Sequence, residues 1–210
     1  MLMWPFTRRK VQERADENLA DGLISALLQS KEITRDEAMQ IPSFAGCVNK
    51  ICDTVSIIPI GLYRKSEDGN TEEIQKDDRV RLINDDTGDT LDGASFKRAI
   101  IFDYLTNKGG YAYVNRVGQR FISLNYVDAD RISLREGTDP IFKDFKIMVN
   151  SVEYEPYRFL RVLRRTKNGA FGPSIIKENN LALDTAYRSL KFESKLTKRG
   201  GNKKGFLENR

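Results

Sequence analysis

The sequence predicts an α+β fold: mixed helices and mainly antiparallel strands, followed by one long helix. Three observations carry this. Apolar residues recur at spacings of three and four between residues 43 and 58 and again between 95 and 105. The stretch from 111 to 163 is a series of short β-branched and aromatic runs separated by turn residues, with no strand-helix-strand repeat that would build a parallel sheet. From Pro173 to about Arg199 a helical pattern then runs uninterrupted.

Taken in order, residues 1–35 read as a mostly polar arm whose short apolar cluster, Leu23 to Leu28, supports at most one short helix. Thr34 followed by Glu37 is a capping-box pattern, and Ile41-Pro42 breaks that turn before a second helix begins near Ser43. Phe44, Val48, Ile51, Cys52, Val55 and Ile58 give this helix one buried face, and Pro59 ends it. Ile60 to Lys65 and Thr71 to Gln75 flank the turn sequence Glu67-Asp68-Gly69-Asn70, which predicts a β-hairpin. A short helix spans Asp78 to Ile83. The next is capped by Asp92 or Ser95, presents Phe96, Ile100, Ile101, Tyr104 and Leu105 to the core, and ends in left-handed fashion at Gly109-Gly110. Five strands come next: Tyr111 to Val117, Phe121 to Tyr126, Ile132 to Arg135, Ile141 to Val149 and Tyr157 to Leu163. Alternation in Tyr111 and Tyr113, and in Phe142, Phe145, Ile147 and Val149, predicts antiparallel strands with one covered face. The final helix, Pro173 to Arg199, would be a rod of roughly 40 Å and stops at Gly200-Gly201.

Composition bounds the chemistry. Of 210 residues 40% are hydrophobic and 31% charged, which excludes a disordered chain, and no apolar run is long enough to span a membrane. The basic Arg8-Arg9-Lys10 follows rather than precedes the apolar Met1 to Phe6, which is not a secretory pattern, so a cytosolic protein without a membrane partner is expected. The chain has no histidine, so His-based triads, His-ligated zinc and imidazole relays are excluded. Cys47 and Cys52 are five apart, which fits neither a redox pair nor a thiolate metal site, and both are expected to be buried reduced thiols. No phosphate-binding glycine loop is present. The carboxylates Asp85, Asp86, Asp89 and Asp92 match no calcium loop and read as turn and cap residues. Tyr104, Tyr111, Tyr113 and Tyr126 could stack bases, but aromatic residues in alternating strands more often form core. No catalytic, cofactor-binding or metal-binding residues are assigned and no cofactor is expected.

The charge is unevenly placed. The net +5 divides into 14 basic and 4 acidic residues from Pro156 onward, against 21 basic and 26 acidic before it. A basic end of this kind often faces nucleic acid or an acidic surface. On a helical wheel Ile176, Leu183, Ala186, Tyr187 and Leu190 lie on one side of the last helix. Lys177, Asp184, Arg188, Lys191, Lys195 and Lys198 form a second face, and Leu181, Phe192 and Leu196 a further apolar strip. Two apolar strips suggest neighbours on two sides; the plainer alternative is that the second also packs on the same domain. The basic stripe is either a solvated face or, because Lys191 and Lys195 repel at i,i+4, the seat of an anionic partner.

The order of motifs resembles the portal proteins of tailed bacteriophages and prophages of the long-tailed type. Ala45-Gly46-Cys47-Val48, then Pro59-Ile60-Gly61-Leu62-Tyr63, are similar to the family's A-C-V helix and its P-x-x-L-Y segment. Ser95-Phe96 to Tyr113-Val114 resembles its next helix and strand, with Gly109-Gly110 where the family usually has Gly-Asn. Phe121 to Ile132 matches the following strand region loosely, Asp128 standing in place of a proline. Gly172-Pro173-Ser174-Ile175-Ile176 and Gly200-Gly201-Asn202-Lys203-Lys204-Gly205-Phe206-Leu207 resemble the blocks on either side of the first stem helix in spacing.

This resemblance implies a non-enzymatic structural protein. Its subunits form a homo-oligomeric ring, twelve when full length, at one capsid vertex of the virion after assembly in the host cytoplasm. Double-stranded DNA passes through the ring during packaging and ejection; the partners implied are the major capsid or scaffold protein, the terminase and the neck or tail connector. It further implies an arm at 1–35, a wing-like domain at 36–172, a stem helix at 173–200 and the truncated start of the clip at 201–210. A channel through which DNA slides should not grip phosphate strongly. Leu181, Arg188, Lys191, Phe192, Lys195, Leu196 and Lys198 are therefore expected to contact partner subunits or capsid, and only Lys203 and Lys204 to lie near the DNA path. The alternative is a free-standing nucleic-acid-binding protein that uses the basic C-terminal helix.

Overall fold

A computed structural model describes residues 32–198 and 200, apart from 75, 140, 142 and 143. The chain divides into two units, Met1–Glu32 and Ile33–Arg210, and every described helix and strand belongs to the second. The expected helix at Leu23 to Leu28, Phe142 of the fourth expected strand, Lys203, Lys204 and the clip segment 201–210 lie outside the described residues.

Helix α1 (Arg35–Ala38) starts with the expected capping box: the Glu37 N–H donates to Thr34 Oγ1 at 3.2 Å, and the Thr34 N–H to Glu37 Oε2 at 3.1 Å. Ile41-Pro42 then opens α2 (Pro42–Ser56), with proline in the first turn, where its missing N–H is not needed. Val48, Cys52 and Ser56 are buried, Val48 and Cys52 in a cluster with Leu105. The buried face is narrower than the periodicity predicts. Ile51 is 44% exposed, Ile58 52%, and Cys47 is exposed rather than buried. Val48 and Cys52 face the helix carrying Leu105, and Cys47 and Ile51 lie roughly 60–100° round the wheel from Val48, off that seam. Cys52 matches the expectation of a buried thiol, and burial raises its pKa.

Strands β1 (Tyr63–Lys65) and β2 (Thr71–Glu73) form the expected hairpin, with Gly69 at φ 84° in its turn. Helices α3 (Asp78–Asn84) and α4 (Gly93–Thr106) are capped by Asp77 and Asp92, the latter accepting from the Ser95 N–H at 3.2 Å. Helix α4 ends at Thr106 with an extended Asn107, so the left-handed Gly109-Gly110 cap is not formed. Gly110 instead starts the next strand: a Cβ there would lie 2.4 Å from the Ile100 carbonyl oxygen, so the strand approaches α4 only because the side chain is absent.

Two three-stranded antiparallel sheets complete the body. In the first, β3 (Gly110–Val117) lies between β4 (Arg120–Val127) and β8 (Phe159–Val162). In the second, β6 (Phe145–Val149) lies between β5 (Ile132–Glu136) and β7 (Val152–Tyr154). Strand β7 is absent from the sequence-based expectation. Asn150 and Ser151, at φ 48° and 68°, form a two-residue turn that pairs Val149 with Val152. Pro156–Arg158 is a 3₁₀ turn, which is why the last strand starts at Phe159 rather than Tyr157. Leu82, Phe96, Ile100, Ala112 and Leu124 form the core between the helices and the first sheet. Tyr111, Ala129, Ile132, Ile147 and Phe159 form the core involving the second, with Tyr113, Tyr154 and Phe159 edge to face at 5.6–5.9 Å.

The final helical stretch is not continuous. It divides into α5 (Ile175–Glu178) and α6 (Asn180–Lys198) at Asn179, whose φ and ψ of −113° and 26° depart from helical values. The Asn180 side chain is held there by the residue that precedes α1 by two: its Oδ1 accepts the Ile33 N–H at 2.8 Å. Helix α6 alone is roughly 28 Å long.

Candidate functional site

Helix α6, with Ile176 and Lys177 on α5 before it, carries the three stripes read from the wheel, and they differ in what covers them. Ile176 and Tyr187 are buried in a cluster with Ile33, Ala38 and Ile41, against which Leu183, Ala186 and Phe44 pack. Leu190, at the far end of that face, is exposed. The short α1 and its flanks are thus the wedge on which the long helix rests, tied also by the Ile33–Asn180 bond.

On the second face Arg188 Nε donates to Asp184 Oδ2 at 2.8 Å across one helical turn. Lys191 turns its ammonium over the Tyr187 ring, 4.3 Å from the centroid, and the contact raises its pKa. Lys191 is therefore engaged within the helix, while Lys177, Lys195 and Lys198 project from exposed positions. On the third strip Leu181 is 73% exposed and Phe192 65%, with Leu196 half-buried. Phe192 borders a shallow hollow of about 420 Å³ with Thr185, Arg188, Ser189 and Glu193. No described part of the chain covers Leu181 or Phe192, so packing on their own domain does not account for them.

A polar knot ties α1 to the body. Asp103 on α4, 1% exposed, accepts from the Tyr126 hydroxyl at 2.7 Å and the Ala129 N–H at 3.2 Å through Oδ2, and from Arg35 Nη1 at 3.4 Å through Oδ1. Arg35 also reaches Asp130 at 2.5 Å, and Asn107 joins the same carboxylate at 2.6 Å. Burial raises the Asp103 pKa, against the pull of these donors, and the Tyr126 pKa is raised by burial and by its bond to Asp103. Sequence reading misses this knot, because Arg35 finds its partners 68 and 95 residues away and no local spacing links them. The only signal for it along the chain is the pair of polar residues Asp103 and Thr106, both buried, at the end of an apolar helix.

The remaining candidates resolve as structural groups. Asp92 caps α4, Asp86 Oδ1 accepts the Gly88 N–H at 2.9 Å, and no group of three acidic or thiol side chains among the described residues could hold a metal. Tyr111 is fully buried with its hydroxyl on the Ala170 carbonyl at 2.9 Å, so it offers no stacking face. A hollow of about 780 Å³ beside α3 has two ion pairs in its lining, Asp77 with Arg79 and Asp78 with Arg120. Among the described residues no helix is long and apolar enough to cross a membrane.

No curated protein matches the chain. Among solved structures it resembles an HK97-family phage portal protein from Corynebacterium diphtheriae, with a TM-score of 0.56 at 12% identity over 85% of this chain and 56% of that one. It also resembles a chain from the neck of an empty GTA particle computed with C6 symmetry, with a TM-score of 0.57 at 15% identity over 85% of this chain and 53% of that one. At such identities these likenesses establish the fold, and the chain spans about half the length of either. A family model described as phage portal protein matches residues 42–210. That match begins at the first residue of α2 and takes in both sheets and the long helix; the protein belongs to the phage portal protein family.

Proposed function

We propose that residues 36–172 form the wing of a portal subunit, 173–200 its first stem helix and 201–210 the start of its clip, with 1–35 as an arm. Twelve such subunits form a ring at one capsid vertex, assembled in the host cytoplasm. Double-stranded DNA enters and leaves through the channel, the terminase docks on it during packaging, and neck and tail proteins dock afterwards. The role is structural and needs no catalysis by this chain.

The observation that carries this reading is the uncovered strip of α6. A monomer's surface helix needs one apolar face, and α6 has a second, with Leu181 and Phe192 exposed beyond a first that is already packed. A ring supplies the missing cover, because each subunit contacts a neighbour on either side through different surfaces. The basic stripe of Arg188, Lys195 and Lys198, with Lys191, lies against partner subunits or the capsid shell. Lys203 and Lys204 lie near the DNA path.

Two substitutions test the strip. Leu181→Asp with Phe192→Asp should abolish assembly measured by native mass while leaving the circular dichroism spectrum unchanged; rings that persist would overturn the assignment. Charge reversal at Lys191, Lys195 and Lys198 should reduce incorporation into capsids. Normal incorporation with lost DNA translocation would instead move the stripe to the channel. DNA titration at two salt concentrations separates the alternative: tight binding by a monomer with a steep salt slope identifies a free-standing nucleic-acid-binding protein.

A further inference from the structure

Between β8 and α5 the chain makes a connection that folds back onto the end of α4 and encloses a hollow of about 580 Å³. Four cationic residues line it: Lys108 after α4, Arg165 and Lys167 on the connection, and Lys177 on α5. No aspartate or glutamate does. Phe171, 43% exposed, and Pro173 supply an apolar wall.

The hollow is a built feature of the fold. The Gly172 N–H donates to the Lys108 carbonyl at 2.9 Å, and a Cβ on Gly172 would lie 1.8 Å from the Arg164 carbonyl oxygen, so the connection closes only with glycine there. Asn168 Oδ1 accepts the N–H groups of Ala170 and Phe171, at 3.0 and 3.3 Å. Arg164 bonds Glu178 at 2.6 Å, which fixes the connection to α5. Arg165 is held at φ 44°, a left-handed conformation that a non-glycine residue adopts at some cost. Its guanidinium is 3.6 Å from Glu178, a carboxylate already shared with Arg164. Lys108 is half-buried with its ammonium on the Ile132 carbonyl, and burial lowers its pKa against the opposing field of Asp130, Asp103 and Asp128.

We infer that this hollow binds a phosphorylated small molecule of nucleotide size. Its volume lies within the range of small-ligand sites, about 300–1,000 Å³. The lining holds four cations and no carboxylate; outside it Glu178 faces Arg165 and three aspartates act on Lys108. The positive charge concentrated on the lining itself favours an anion, for which Arg165 offers a planar fork that matches phosphate oxygens. Phe171 provides the face on which a base would stack, which a bare phosphate site does not need. The inference is independent of ring assembly, since every lining group belongs to one chain.

Calorimetric titration of the purified protein with ATP, tripolyphosphate, adenosine and a 20-base-pair duplex tests it. ATP should bind with a sub-millimolar Kd, tripolyphosphate more weakly and adenosine not measurably. Arg165→Glu with Lys177→Glu should weaken ATP by at least about tenfold. Both side chains are largely solvent-facing, and circular dichroism reports whether the variant is folded. Phe171→Ala should weaken ATP but not tripolyphosphate. Failure of ATP to bind, or equal ATP affinity in the double charge variant, would overturn the site. Equal affinity for ATP and tripolyphosphate would overturn its nucleotide character, and displacement of ATP by duplex at equal phosphate concentration would reassign the hollow to a nucleic-acid backbone.

Discussion

Asp103 offers the sharpest test of how the body is held together. Replacing it with alanine removes the acceptor for two donors at once, the Tyr126 hydroxyl and the N–H of fully buried Ala129. A buried donor left without a partner costs about 1–3 kcal/mol, so D103A, which orphans two, should lose about 2–6 kcal/mol. Asparagine behaves differently. With its carbonyl oxygen in the place of Oδ2 it keeps both bonds and gives up only the 3.4 Å contact with Arg35, which retains Asp130 at 2.5 Å. Because Arg35 is partly exposed, that loss should be about 0.5–1 kcal/mol. Urea unfolding followed by circular dichroism, with an unchanged slope, measures both. The reasoning is refuted if D103A unfolds within about 0.5 kcal/mol of the wild type, or if D103N is as damaged as D103A. The pH dependence has a definite sign. Burial places the folded pKa above the unfolded one, so between the two the folded state holds more protons, and stability falls as pH rises through that window. The non-titrating D103N lacks this slope, and its deficit should be smaller at neutral pH than near pH 4.

Three further outcomes rest on the geometry. Asp77 is held at a pKa of about 2 by its side-chain bonds to Arg79 and by the Arg79 N–H; its contribution is present above the ordinary carboxylate range and is lost as pH falls toward 2. In Arg79→Ala, which keeps the N–H, the pKa should rise part of the way back, as read by carbon NMR titration of the Asp77 carboxyl. Gly110→Ala forces a methyl against the Ile100 carbonyl and should destabilise by about 1–3 kcal/mol in the same unfolding assay. A thiol reagent should modify Cys47 in the native protein and reach Cys52 only after unfolding, because only the first is exposed; two fast thiols would contradict the packing of α2 on α4.

Elements governed by local chemistry are legible from the residues alone. Thr34 and Glu37, Pro42 and Asp92 act within a few positions of themselves, and each marks the boundary its chemistry predicts. What escapes depends on neighbours distant in the chain. The period of α2 cannot tell which flank α4 will cover, so it places Ile51, Ile58 and Cys47 on a face that is open in the structure. Strand β7 is three residues long with two exposed, and becomes a strand only because β6 offers it an edge. The division at Asn179 accompanies a bond between Asn180 and Ile33, 147 residues apart. The same contrast holds for function. A wheel drawn on one helix is enough to separate Leu181 and Phe192 from the packed face. The cations of the hollow, however, come from positions 108, 165, 167 and 177, which no spacing brings together.

In the proposed assembly the open strip of α6 is covered by another copy of this chain in a closed ring. Native mass spectrometry of the purified protein, with negative-stain images of the same sample, measures that directly. Closed rings with a central hole are expected, lost in the Leu181→Asp, Phe192→Asp variant; a strict monomer at every concentration up to the solubility limit would rule the ring out.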